Sequence, residues 1–126
     1  MALLNAYRAH GCLSRLHSLS RHGYARSDGQ GCQVEDLLVA GELFGFRWCH
    51  ATWIPMFQFT LPGRKLSTGP QRVVAELGGI FDGWALASWF VTPNVFLANH
   101  SPIECLDSHL PHVLDAARTD RFVATG

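Results

Sequence analysis

Residues 82–118 carry the tightest folding grammar in the chain. Asp82 suits a helix N-cap, and Leu86, Trp89 and Phe90 follow at the i, i+3, i+4 spacing that makes one apolar helical face. Thr92 precedes Pro93, and a residue before proline is pushed out of the helical region, so the helix must end there. Ser101-Pro102-Ile103-Glu104 restarts it, with a capping-box pattern and proline at the first helical position. Pro111 opens a last helix that would bury Leu110, Val113, Leu114 and Ala117 and place Arg118 and Arg121 near its negative end. Just upstream, Pro70 and Gly78-Gly79 bracket a further helix carrying Val73, Val74 and Leu77. Short helices with one apolar face each must bury those faces against one another, so residues 67–126 are expected to form a small helical bundle.

The rest of the chain is punctuated differently. Val34, Leu37 and Leu38 recur at helical spacing behind Glu35 and Asp36, which favour a helix N-terminus, and Gly41 can stop that helix. Phe44, Phe46 and Trp48 then alternate as on a strand, with Trp53, Phe57 and Phe59 as an opposing aromatic row and Cys49 to Thr52 as the turn. Pro55 cannot donate to a ladder, which puts the second strand at an edge at that position. Residues 34–66 therefore read as a helix plus β-hairpin module, winged-helix-like in order, ending in a breaker-rich loop from Leu61 to Pro70. Leu13, Leu16 and Leu19 outline a weak helical face that Gly11, Gly23, Gly29 and Gly31 interrupt, so residues 1–33 read as a basic arm or a remnant helical region. The expected fold is mainly α in an α+β frame: a C-terminal helical bundle preceded by one helix and one aromatic hairpin.

Chemistry is sparse. With 126 residues, 48% hydrophobic and 16% charged, the chain has the composition of a folded domain. No apolar run approaches the roughly 20 residues that cross a bilayer, and Met1-Ala-Leu-Leu-Asn-Ala-Tyr-Arg lacks a signal-peptide pattern, so no membrane partner and a cytoplasmic location are expected. Cys12, Cys32, Cys49 and Cys105 are scattered without a C-x-x-C pair, as free thiols would be. Cys105, His109 and His112 have soft and borderline metal-ligand chemistry, but Pro111 breaks the face they would share, and neither metal nor cofactor is expected. There is no G-x-S-x-G elbow, P-loop, dinucleotide glycine fingerprint or H-E-x-x-H helix, so the chain does not read as an enzyme.

Two features point to partners. Four tryptophans and eight phenylalanines are more than so small a domain can fully enclose, and exposed apolar surface marks binding sites, for another protein or for a second copy in a homo-oligomer. Arg8, Arg15, Arg21 and Arg26 stand against the single acid Asp28 in residues 1–33. Clustered cations gain affinity from phosphate neutralisation, so the alternative function is a DNA-binding transcriptional autoregulator acting at operator DNA.

The order of Trp89, Pro93-Asn94, Leu97, Ser101-Pro102, Leu106 and Val113, followed by an alanine-rich helix, resembles the C-terminal toxin-binding domain of the Xre/MbcA/ParS antitoxins. Upstream, Gly41-Glu-Leu-Phe44-Gly-Phe46 through Ile54-Pro55-Met-Phe57-Gln58-Phe59 is similar to the "yPaFQF" hairpin of one branch of such proteins, so the resemblance spans about residues 34–124. It implies an antitoxin-like protein whose compact helical domain binds a RES-domain toxin, an NAD-consuming enzyme, and masks its active site. Carried onto this chain, the resemblance makes Pro93, Asn94, Asn99, Pro102, Arg118, Arg121 and Phe122 toxin-binding candidates and Trp89, Phe90, Leu97, Leu106 and Val113 the scaffold of the motif. The chain departs from the pattern at Ala98-Asn99-His100, where glycine is usual, and in residues 1–33, which do not read as the helix-turn-helix most members carry.

Overall fold

The computed structural model describes residues 2–60 and 64–125. The helices are α1 Ala2–Tyr7, α2 Leu16–Leu19, α3 Val34–Val39, α4 Thr68–Leu77, α5 Gly83–Val91, α6 Pro102–Cys105 and α7 Leu110–Thr125. The strands are β1 Leu13–Arg15, β2 Tyr24–Ala25, β3 Gly31–Cys32, β4 Phe46–Trp48, β5 Ala51–Pro55, β6 Phe59–Thr60 and β7 Lys65–Leu66.

Helix ends follow local chemistry. The Gln33 side chain and Asp36 close a reciprocal box at the start of α3, and Gly41, with φ of 74°, ends it. The Glu42 and Gly41 amides donate to the Leu37 and Leu38 carbonyls at 3.0 and 3.2 Å, a Schellman closure that a left-handed glycine permits. The Asp82 carboxylate accepts from the Ala85 amide at 2.8 Å and starts α5. At α6 the expected capping box closes otherwise: the Ser101 hydroxyl donates to the Glu104 carboxylate at 2.6 Å instead of the two side chains satisfying backbone amides.

The expected fold class is overturned by two sheets. One has three antiparallel strands in the order β1-β5-β4, and the other has four in the order β3-β2-β7-β6. The molecule is therefore an α+β structure in which sheets share the core with helices, not a small helical bundle with one hairpin attached. Strands of two residues, such as Tyr24–Ala25 and Lys65–Leu66, are too short to show alternation, which is why they were illegible. Residues 1–33 supply β1 to one sheet and β2 and β3 to the other, and residues 34–66 are divided between the same two sheets. Within the expected loop from Leu61 to Pro70, Lys65–Leu66 is a strand and α4 starts at Thr68, while Leu61, Pro62 and Gly63 lie outside the described residues.

The hairpin also differs in detail. Its turn is only Cys49-His50, with φ of 52° and 61°, because a two-residue type I′ connection requires left-handed backbone at both positions. Thr52 is paired with Arg47 inside the ladder. The proposed aromatic row is split: Phe57 sits in a 3-10 turn, Met56–Gln58, and Phe59 lies in the second sheet. Pro55 belongs to the central strand, yet only Leu13 of β1 faces it, since pairing with β4 stops at Trp53.

Two apolar clusters result. Tyr7, Phe44, Phe46, Val73, Leu77, Leu86, Trp89, Phe90, Val113 and Ala117 are buried in the larger, helical one. Leu19, Tyr24, Val34, Leu37, Ile54, Phe59 and Leu66 make the smaller one. Gln58, fully buried, stands at their junction: its carbonyl oxygen accepts from the Phe44 amide, and its NH₂ donates to the Phe44 and Pro55 carbonyls, each at 3.0 Å. The start of α5 lies so close to the lead-in of β4 that a Cβ on Gly83 would overlap the Gly45 carbonyl oxygen. Tyr7 anchors α1 by donating its hydroxyl to the Ala87 carbonyl at 2.7 Å.

Three stability outcomes follow from these contacts. Gln58→Leu keeps the volume but strands the Phe44 amide and two carbonyls in the core, and should cost about 3 kcal/mol in urea unfolding. Gly83→Ala meets backbone that cannot yield and should cost about 3 kcal/mol; an unchanged urea midpoint would refute the close approach. Burial pushes the Tyr7 pKa far above its ordinary 10.0. Above about pH 10 the unfolded chain gives up a proton that the folded chain keeps, so this group's contribution is whole below that pH and falls by about 1.4 kcal/mol per unit above it. Tyr7→Phe should lose about 1 kcal/mol at pH 7 and show a shallower decline than the parent chain between pH 10 and 11.5 in urea melts.

Candidate functional site

The surface with most to offer a partner lies at the C-terminal end of α7. α4 and α7 run alongside each other in the same direction: Gly69 neighbours the Leu110 side chain at one end, and Glu76 meets Arg118 and Arg121 at the other. The two carboxylate oxygens of Glu76 each take one guanidinium, from Arg118 Nε and Arg121 Nη1, both at 3.1 Å. Arg118 also reaches Asp115 at 3.4 Å. Such exposed pairs add under about 1 kcal/mol each to stability. Their consequence is positional, because two flexible side chains are held on one rim. The Trp89 indole donates to Asp120 at 2.7 Å and fixes the same stretch of α7 to α5.

Beyond this anchored stretch, Phe122 and Val123 are 77% and 70% exposed. A cleft of about 380 Å³ is lined by Glu76, Arg118, Arg121, Phe122 and Thr125. The 3-10 turn Val95–Leu97 also packs on α7, burying Leu97 and leaving Val95 and Phe96 exposed. Its loop is built around Asn94, whose side chain accepts from the Phe96 amide and whose carbonyl accepts from the Leu97 and Asn99 amides, each at 2.9 Å. Ala98 and Asn99 both adopt left-handed backbone, with φ of 55° and 65°. Glycine reaches that conformation most easily, so this loop takes the shape glycine would favour with two residues that are not glycine.

The candidate contacts therefore fall into three places. Arg118, Arg121 and Phe122 converge on the α7 rim; Pro93, Asn94 and Asn99 lie on the loop, with Pro93 and Asn99 exposed and Asn94 half-buried. Pro102 is fully buried and can touch nothing outside the core. Trp89, Phe90, Leu97, Leu106 and Val113 are all buried in the helical cluster. Glu76, Val95, Phe96 and Val123 were missed. The run Val95-Phe96-Leu97 carried the one available signal, since a single turn cannot bury three consecutive large side chains.

The N-terminal arginines do not form one array. Arg8 and Arg21 are exposed on separate turns, Arg15 lies with its guanidinium 5.3 Å from the centre of the Trp53 ring, and Arg26 is ion-paired with Glu42. A cleft of about 570 Å³ opens between the ends of α3 and α4 and the start of α5, lined among others by Leu38, Gly41, Gly79, Phe81 and Leu86. Its one carboxylate, Asp82, already caps α5. Burial raises the pKa of Tyr7, Tyr24 and Cys32. Cys105 is buried while His109 and His112 are exposed, and no three His, Cys, Asp or Glu side chains converge as a metal site among the described residues. No helix among them is long and apolar enough to cross a membrane. Comparison of the chain with protein-family models, with curated proteins and with solved structures gives no match.

Proposed function

We propose that this chain is an antitoxin-like protein that binds a RES-domain toxin and neutralises it by covering the active site. The motif order from Trp89 to the alanine-rich last helix supplies the identity of the partner. The observation that carries the reading is the exposed Phe122-Val123 pair beside the Arg118–Glu76–Arg121 cluster. Apolar side chains left outside a well-filled core gain by being covered, and aromatic and arginine side chains are enriched where proteins meet. Each guanidinium keeps N–H groups beyond those spent on Glu76, which suits acceptor groups such as the carboxylates of a partner's site. The contact set is Pro93, Asn99, Arg118, Arg121 and Phe122, extended by Val95, Phe96 and Val123. Asn94 shapes the loop that presents them, and Pro102 belongs to the interior. Acting on an enzyme that consumes NAD places the chain in the cytoplasm.

The test is co-expression with a RES-domain protein, followed by co-purification and an assay of NAD consumption. The parent chain should co-purify and suppress NAD loss. The double variant Phe122→Asp/Val123→Asp should keep its melting curve within about 0.5 kcal/mol, since both positions are exposed, while neutralisation falls at least about tenfold. Full neutralisation by the folded variant would remove the α7 end from the interface; absence of any complex with the parent chain would remove the toxin.

A further inference from the structure

A second surface lies on the three-stranded sheet. Register places Arg15 opposite Trp53 on one side and Phe46 opposite Trp53 on the other, and residues directly opposite share a face. Trp48, two residues along from Phe46, shares it too. Trp84 of α5 packs its ring on Phe46 with centroids 4.8 Å apart, and Trp48 stands 6.1 Å from Trp53. Three of the chain's four tryptophans thus gather at the hairpin end, with Trp48 37% and Trp84 39% exposed.

The polar edges of two of these rings are already spent. Trp53 donates its indole N–H to the Trp48 carbonyl at 3.0 Å, and Trp84 donates its own to the Arg47 carbonyl at 2.9 Å. What those two indoles still offer is π surface without a free donor. The cation here is uncompensated: among the described residues Arg15, on this face, has no carboxylate partner. Arg15 lies over the Trp53 ring, so charge and aromatic surface adjoin.

We propose that this hairpin face binds single-stranded nucleic acid, its bases stacking on the exposed tryptophan surface and a phosphate meeting Arg15. Every base has a π face, so stacking needs no donor from the indole and tolerates any sequence. Duplex DNA fits poorly, because its base faces are sealed within the stack. A protein partner would satisfy the rings but not the unpaired Arg15 unless it were acidic. This surface uses different residues from the α7 end, and neither proposal depends on the other.

The experiment titrates the full chain into fluorescein-labelled dT20 and U20 strands by anisotropy at 50 and 300 mM salt, with a 20-base-pair duplex as competitor. Both strands should bind at the lower salt, bind more weakly at the higher, and quench tryptophan emission. Trp48→Ala should weaken binding about 5- to 100-fold while Trp48→Phe stays within about threefold, as loss of one base-stacking platform predicts. Arg15→Gln should weaken binding and lower the salt slope by about one ion, and it serves as the probe if Trp48→Ala fails to fold in a urea melt. Phe122→Asp/Val123→Asp should bind strands like the parent chain. No strand binding at 50 mM salt overturns the proposal. So does binding that the duplex competes for equally and that Trp48→Ala and Arg15→Gln leave unchanged. Sedimentation showing a dimer that Trp48→Ala dissociates, without strand binding, would assign the face to a second copy instead.

Discussion

The buried amide of Gln58 holds the two halves of this molecule in register. Phe44 and Pro55 lie just past the point where the β4–β5 ladder stops at Phe46 and Trp53, so their backbone groups would be stranded inside the core without a partner. The Gln58 side chain supplies that partner, accepting from the Phe44 amide and donating to the Phe44 and Pro55 carbonyls. A side-chain amide carries donor and acceptor at the spacing of a peptide group, so it can stand in for a missing strand. The Ser67 amide in turn donates to the Gln58 carbonyl at 2.8 Å, which ties the entrance of α4 to the same point. Phe44 is thereby fixed where its ring stacks on Phe90, 5.6 Å between centroids.

From that junction the functional surfaces acquire their positions. The helical cluster seats α7 against α4, and Glu76 and Asp120 then hold its last turns by contacts to Arg118, Arg121 and Trp89. On the other side, β1 pairs with the edge of β5 that β4 leaves open, and Met56 gives its amide to the Cys12 carbonyl at 3.0 Å. Arg15 reaches Trp53 only through that added strand. The four N-terminal arginines consequently have separate surroundings: one lies over an aromatic ring, one is paired with an acid, and two are exposed.

Helices were legible where punctuation was local. Proline before or inside a first turn, a capping aspartate and a stopping glycine act within four residues, so the starts of α3 and α5 and the end of α5 at Thr92 could be read directly, whereas α4 begins at Thr68, two residues ahead of the proline that marked it. Sheets were not. β2 pairs in parallel with β7 across some forty positions of chain, and a strand of two residues has no periodicity of its own. Glycines that interrupted a helical reading of residues 1–33 instead flank and join short strands. The same asymmetry holds for the candidate contacts. Arg118, Arg121 and Phe122 were visible as the end of a helix, whereas Glu76 became part of that rim only once α4 lay beside α7.

By itself, then, the sequence determined where α3 and α5 begin and which side chains of α5 and α7 are apolar, because caps, prolines and spacing act through the nearest turn of backbone. Tertiary structure alone decided that strands share the core, that Pro102 is sealed inside it, that Arg118 and Arg121 meet on Glu76, and that Arg15 lies over Trp53. Each of those depends on residues far apart in the chain, and only closing the loops between them brings the partners within reach.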